Sequence, residues 1–205
     1  MDKGYENNRA HVVGSIVGSV ELDHSLYGES FYSTHVSVPR LSGAVDVLPL
    51  MLPGRLLTAL PCEGDAVEVH GQVRSYNKRT GEGSHLMVTL FAHTFFTLAP
   101  EAVIPYNEVV LRGYLCKAPG FRTTPFSREI ADMLLAVNRS YHKSDYLPCI
   151  AWGRNARFAE GLAVGTRVQV EGRLQSRVYQ KCYEDGSVVE RTTYEISCSS
   201  LEILE

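Results

Sequence analysis

The chain has 205 residues, 44% of them hydrophobic, and a formal net charge of −3. That much apolar material builds packed cores and excludes a disordered chain, and the charge excludes a uniformly basic nucleic-acid coat. The length allows one large domain or two small ones.

Residues 1–7 are polar and read as a frayed start. Strand-like runs follow at Val12–Val20, Phe31–Val38, Val47–Leu52, Ala66–Ser75 and Leu86–Phe96. In the fourth run Val67, Val69 and Val73 share one face. The one helical candidate among them is Gly54–Leu60, where Leu56 and Leu60 are four apart. Gly81-Glu82-Gly83 reads as a hairpin turn between two strands.

The same order then recurs. Asn8, Gly14, Arg40, Asp46-Val47-Leu48-Pro49 and Gly54-Arg55 match Asn107, Gly113, Arg139, Asp145-Tyr146-Leu147-Pro148 and Gly153-Arg154, all 99 residues later. Gly64, Val67, Val69 and Gly71 match Gly165, Val168, Val170 and Gly172 at an offset of 101. A constant offset over separated landmarks predicts two fused copies of one domain. We place them at residues 1–98 and 106–205, joined by a stiff linker at 99–105 that contains Pro100 and Pro105. Each copy reads strand, strand, strand, short helix, strand, strand. The predicted fold is therefore all-β: two tandem five-stranded Greek-key barrels of the oligonucleotide-binding (OB) type, each with a short helix between strands 3 and 4. An SH3-like barrel is the nearest competitor, but it does not usually place a helix there.

The charge divides unevenly between the copies. Residues 1–100 hold 7 Lys and Arg against 10 Asp and Glu; residues 101–205 hold 13 of each, and ten of those cations are arginines. Arginine's planar fork pairs with phosphate and stacks on bases. In the stretch Asp145–Tyr179 such cations alternate with rings, including the sole tryptophan, Trp152. Bases stack on rings and phosphates pair with cations, so this interleaving suits a single nucleic-acid strand. The competing reading puts Trp152 and the tyrosines in the core.

The second half resembles the bacterial single-stranded DNA-binding protein family. The resemblance rests on NEVVLRGYL at Asn107–Leu115, DYLPCIAWGRNARFAEGLAVGTRVQVEGRLQS at Asp145–Ser176 and RTTYEIS at Arg191–Ser197. It implies stacking on Tyr141, Tyr146, Trp152 and Tyr179, and phosphate contacts from Arg112, Arg139, Arg154, Arg173, Arg177 and Lys181. Arg157 is either a further contact or merely solvated; Phe158, Tyr183 and Tyr194 are assigned to packing, with Phe158 and Leu162 on one helical face. At the matching positions of the first copy stand Ser42, Val47, Pro53 and Lys78, none with a ring, although Tyr76 lies two residues before Lys78. The first copy is thus expected to be degenerate and the second to hold most of the affinity. The resemblance further implies a homodimer presenting four OB domains, and replication or repair proteins as possible partners. Family members commonly end in an acidic-tipped tail that recruits such partners; this chain stops at Glu205, which puts the hub role in question.

No catalytic constellation is legible. The seven histidines form no HxxxH or HExxH, and there is no GxSxG or Walker loop. Five cysteines, an odd number with no CxxC, argue against disulfides or a zinc knuckle and for a reducing compartment. Asp46 and Asp145 repeat before Leu-Pro, where capping of the local backbone is favoured over a carboxylate site. With no signal peptide and no run of ~18 apolar residues, a cytoplasmic, nucleoid-associated protein is expected, with no membrane partner. The expected function is sequence-tolerant binding of single-stranded DNA in replication, recombination or repair, with no enzyme activity, cofactor or metal. A primosome-type adaptor whose barrels mainly hold proteins is the alternative, and an OB-type binder of RNA or oligosaccharide a second.

Overall fold

A computed structural model of the chain describes residues 7–81, 83–99, 103–182 and 186–205, together with the backbone but not the side chains of Thr80 and Lys181. Eleven strands follow in order: β1 Asn8–Leu26, β2 Glu29–Pro39, β3 Val45–Pro53, β4 Ala66–Thr80, β5 Gly83–Thr97, β6 Tyr106–Leu115, β7 Gly120–Thr123, β8 Glu129–Asn138, β9 Ser144–Trp152, β10 Arg167–Cys182 and β11 Val188–Ile203. Among the described residues an α-helix, α1, spans Arg154–Glu160.

The pairings close two rings. In the first, β1 pairs with β2, β2 with β3, β3 with β5, β5 with β4 and β4 with β1. In the second, β6, β8, β9, β11 and β10 close in the same way. Each ring is closed by one short parallel pairing, Leu50 to Leu90 and Cys149 to Ile196. These are the two Greek-key barrels expected from the repeat. Their inward faces are filled by alternating aliphatic residues, as a pleated strand requires: Val12, Leu48, Leu50 and Leu90 in one, Leu111, Leu135, Leu147 and Ile196 in the other, all fully buried.

The repeated glycines mark places where backbones approach closely. A Cβ on Gly71 would lie 2.0 Å from the Phe91 carbonyl oxygen, and one on Gly172 would lie 2.1 Å from that of Ser197. Both sit at a bulge in the long hairpin of their barrel, so each barrel turns its corner at the same residue.

Three expectations are corrected. β1 and β2 run beyond the predicted strands into a protruding hairpin, turned by Tyr27 and Gly28, both at positive φ. That two-residue turn matches the twist of the flanking strands. The first short helix is only a 3-10 turn, Gly54–Leu56. The second packs through Ala156 and Ala159, both fully buried. The positions 99 earlier hold the larger Leu57, which packs only partly buried against the core, and Leu60, which is exposed. Phe158 is 43% exposed, because the buried face of α1 is the alanine pair and not the Phe158–Leu162 line; Leu162 and Tyr194 do pack against the core. Tyr183 and Glu82 lie outside the described residues, but the pairing of Thr80 with Gly83 closes the expected hairpin. No described helix is long and apolar enough to cross a membrane.

The rings are joined along β1 and β6, which pair antiparallel from Asn8–Leu111 to Val13–Tyr106. Ala10 faces Val109, its own counterpart 99 residues on, so a pseudo-two-fold axis passes between them.

Two carboxylates lock this seam, and they do so reciprocally. Asp46 accepts the Ser176 backbone N–H at 2.9 Å and is held by Arg40, whose Nε donates at 2.8 Å and whose Nη2 makes a second bond. Asp145 accepts the Ser75 N–H at 2.7 Å and is flanked by Arg139 and Arg74, each at 3.2 Å. The serine hydroxyls answer in turn, accepting the N–H of Val47 and of Tyr146. Asp46 and Asp145 therefore do bind backbone, but across the seam instead of in their own turn. Each meets the edge of β4 or β10 beyond the point, Gly71 or Gly172, where that strand stops pairing with β1 or β6.

Asp145→Ala strands two arginines beside a lost carboxylate and should cost about 3–5 kcal/mol of stability, measured by urea unfolding. Gly172→Ala should cost about 1–3 kcal/mol, because the Ser197 backbone must move; Gly161→Ala, whose nearest atom is 3.8 Å away, should be near neutral.

Candidate nucleic-acid interface

An open groove of 590 Å³ crosses the outer face of the second barrel. Trp152 ends β9 at its wall, on the outward side of that strand with Ile150. Its Nε1–H donates to the Ser197 hydroxyl of β11 at 3.2 Å, which fixes the indole while leaving 38% of the residue exposed. Trp152 is therefore an anchored surface ring and not part of the core.

Five arginines line the same groove: Arg173 and Arg177 of β10, Arg122 of β7, Arg128 just before β8, and Arg40 from the other barrel. Arg173 Nε is buried with no hydrogen-bond partner. Arg177 lies 3.5 Å from Glu195, the one acidic residue of the lining, and its guanidinium stands 5.9 Å from the Tyr179 ring centre. Arg122 shares Asp132 at 2.8 Å. The groove offers an anchored ring, an apolar floor of Ile130 and Ile150, and a marked excess of positive charge.

Of the residues picked out by sequence, Trp152, Arg173 and Arg177 meet here. Tyr179 stands at the far end of the β10–β11 hairpin, in a second groove with Lys78, Leu86 and Arg191. Tyr141 is 92% exposed on the loop before β9, at positive φ. Tyr146 is exposed on β9 above the seam, and Arg154 is the exposed first residue of α1. Arg112 donates to Gln169 at 2.7 Å, and Arg139 is held by Asp145; neither lines this groove. Arg157 is bound to Glu129 at 2.6 Å. The Lys181 side chain is outside the described residues.

Sequence reasoning missed Arg40, Arg122 and Arg128. The last two flank Thr123–Ser127, a turn-rich segment between strands that signalled a hairpin able to present them. Arg40 carried no such signal, since it reaches the groove only through the seam.

The first barrel has a groove in the equivalent place, of 510 Å³, lined by Asp23, His24, Met51, Arg74, Tyr76, Phe91 and Arg139. Phe91 pairs with Met51 as Ser197 pairs with Ile150, so the two are structural counterparts. Tyr76 stands where Arg177 does, and His24, opposite Phe31, stands where Arg122 lies opposite Ile130. Rings lost at the aligned positions are thus replaced by rings at others, with fewer cations. The arginines are exchanged: Arg40 of the first barrel faces the second groove, and Arg139 of the second faces the first.

Two of the cysteines, Cys149 and Cys116, are poor nucleophiles. A hydrogen bond to Cys198, then burial, push the Cys149 thiol well above its usual range, and burial raises that of Cys116.

Residues 106–204 match the Single-strand binding protein family. "Single-stranded DNA-binding protein 1" of Staphylococcus aureus (strain COL) is 38% identical over 106 residues, covering 48% of this chain and 61% of that protein. "Single-stranded DNA-binding protein A" of Bacillus subtilis (strain 168) is 37% identical, with 59% of its length covered. The chain thus spans about three-fifths of the length of these relatives. In fold, the crystal structure of the wild-type single-stranded DNA binding protein from Thermus aquaticus covers 97% of this chain and 93% of its own at a TM-score of 0.76 and 22% identity. Both barrels therefore have a solved counterpart in fold, and the second barrel is the part of the chain that matches the single-strand binding protein family.

Proposed function

We propose that the chain binds single-stranded DNA without reading its sequence, in replication, recombination or repair. The observation that carries this is Trp152, anchored on Ser197 yet open to solvent, at the wall of a groove with five arginines. A stacked base is worth ~1–3 kcal/mol whatever its identity, and each phosphate neutralised releases counterions. The names of the relatives support the same reading. Binding is the whole of the activity in this proposal, with no bond made or broken, and the place of work is the nucleoid.

The second barrel dominates affinity because its groove holds more cations. Tyr141, Tyr146, Tyr179, Arg154 and Lys181 extend the path beyond the groove, while Arg112 and Arg139 serve mainly to position neighbouring side chains. Two chains pair to present four barrels; light scattering of the free protein at the mass of one chain would remove that part of the proposal.

Trp152 is the only tryptophan, so its fluorescence reports this groove alone. Oligo-dT should quench it, and Trp152→Ala should weaken binding about 5- to 150-fold, the equivalent of one stacked base, with little change in urea stability. Equal losses of binding and stability would defeat the assignment. The slope of log K against log salt should be about −0.7 per phosphate contacted. Arg128→Gln should make it shallower by about that amount. Arg167→Gln, at the start of β10 and bound to the Glu205 carbonyl, should leave it unchanged.

A further inference from the structure

Outside both grooves, at the edge of the seam, three side chains converge on the outer face of the first barrel. His11 of β1 and His70 of β4 are directly opposed across the ladder, and Glu68 lies two residues before His70. The Nε2 atoms of both rings point to the same Glu68 oxygen, at 2.9 Å from His11 and 3.1 Å from His70. The rings stack at 4.1 Å between centroids, and Tyr106 of β6 packs on His11 at 4.6 Å. All three ligand atoms lie within 4.8 Å of one another, and all three side chains are part-buried.

We propose that His11, Glu68 and His70 form a binding site for one divalent transition-metal ion of the zinc class. Two imidazole nitrogens and a carboxylate are a zinc donor set that leaves a coordination position open. Ligands at ~2.0–2.1 Å from a tetrahedral ion stand roughly 3.3–3.4 Å apart; the two nitrogen–oxygen spacings, 2.9 and 3.1 Å, are close to that, and the two nitrogens lie within 4.8 Å of each other. Two imidazoles also select against magnesium and calcium, which take oxygen ligands. The adjoining cavity of 250 Å³ has room for the ion's waters and is also lined by Arg9 and by Glu108, which pairs with His11 across β1 and β6.

The repeat supplies a built-in comparison. The counterparts in the second barrel are Val110, Gln169 and Glu171. There Arg112 donates to Gln169 at 2.7 Å and Gln169 to Glu171 at 2.9 Å, a closed polar trio with a cation of its own. The fold at this place is thus satisfied without histidines, and only the first barrel concentrates metal-binding donors there. An ion bound by these residues would clamp β1, the strand shared by barrel and seam, to β4.

The test uses the full chain stripped with a chelator. Co²⁺ should bind at one equivalent per chain with visible d–d absorption, Zn²⁺ should displace it, and Zn²⁺ should raise the melting temperature until one equivalent is reached. His11→Ala and His70→Gln, each checked for an unchanged circular dichroism spectrum, should weaken binding at least about tenfold and abolish the melting shift. Glu171→Gln should alter neither. Absence of Co²⁺ binding at micromolar concentration would overturn the proposal. So would binding that survives both histidine variants with a cobalt–thiolate band, which would assign the metal to exposed Cys62 or Cys182. None of these readouts involves DNA, so they stand apart from the single-strand reading.

Discussion

The structure depends on the seam where β1 meets β6. Antiparallel pairing alone would join two barrels at one edge and leave them free to pivot. The buried carboxylates of Asp46 and Asp145 remove that freedom, because each binds a backbone N–H of the other barrel and its own arginine together. A buried charge is tolerable only when its partners are in place. The geometry of one barrel is therefore a condition for the stability of the other.

The groove inherits this coupling. Arg40 spans the seam to reach the arginine cluster beside Trp152, and the Ser176 carbonyl that accepts from it at 3.2 Å lies three residues past Arg173 in β10. The cation count of the second groove thus includes a residue of the first barrel. Ser197 adds a second tie. Its carbonyl closes on Gly172 at the bulge, and its hydroxyl holds the Trp152 indole. The residue packed against the corner glycine thus also orients the ring on the surface.

With the frame held, the faces of the copies diverged separately. Asn8 and Asn107 each bracket an equivalent strand residue, Val73 and Leu174, through both their amide groups. The grooves share no such likeness. One is arginine-rich around an indole, and the other carries Phe91, Tyr76 and Met51 with its arginines engaged at the seam. The stacked pair His11 and His70 likewise belongs to one copy only.

The sequence by itself determined the two-copy plan, the strand order and the barrel class. Glycines at close approaches, alternating valines and the repeated Asn and Asp landmarks are local signals that mark the two copies, although the Asp pair finds its backbone partners across the seam. Trp152, Arg173 and Arg177 were legible for the same reason, since ring and cation alternate along their own strands. Tertiary structure alone decided the rest. Arg40 joins the second groove, Arg139 leaves it and Asp145 binds Ser75 because a pseudo-two-fold axis brings together residues 70 or more positions apart. Phe158 turns outward because two small alanines, and not the largest side chain of the helix, allow it to lie close to the strands. Period and composition describe one element at a time, whereas these placements depend on which elements meet.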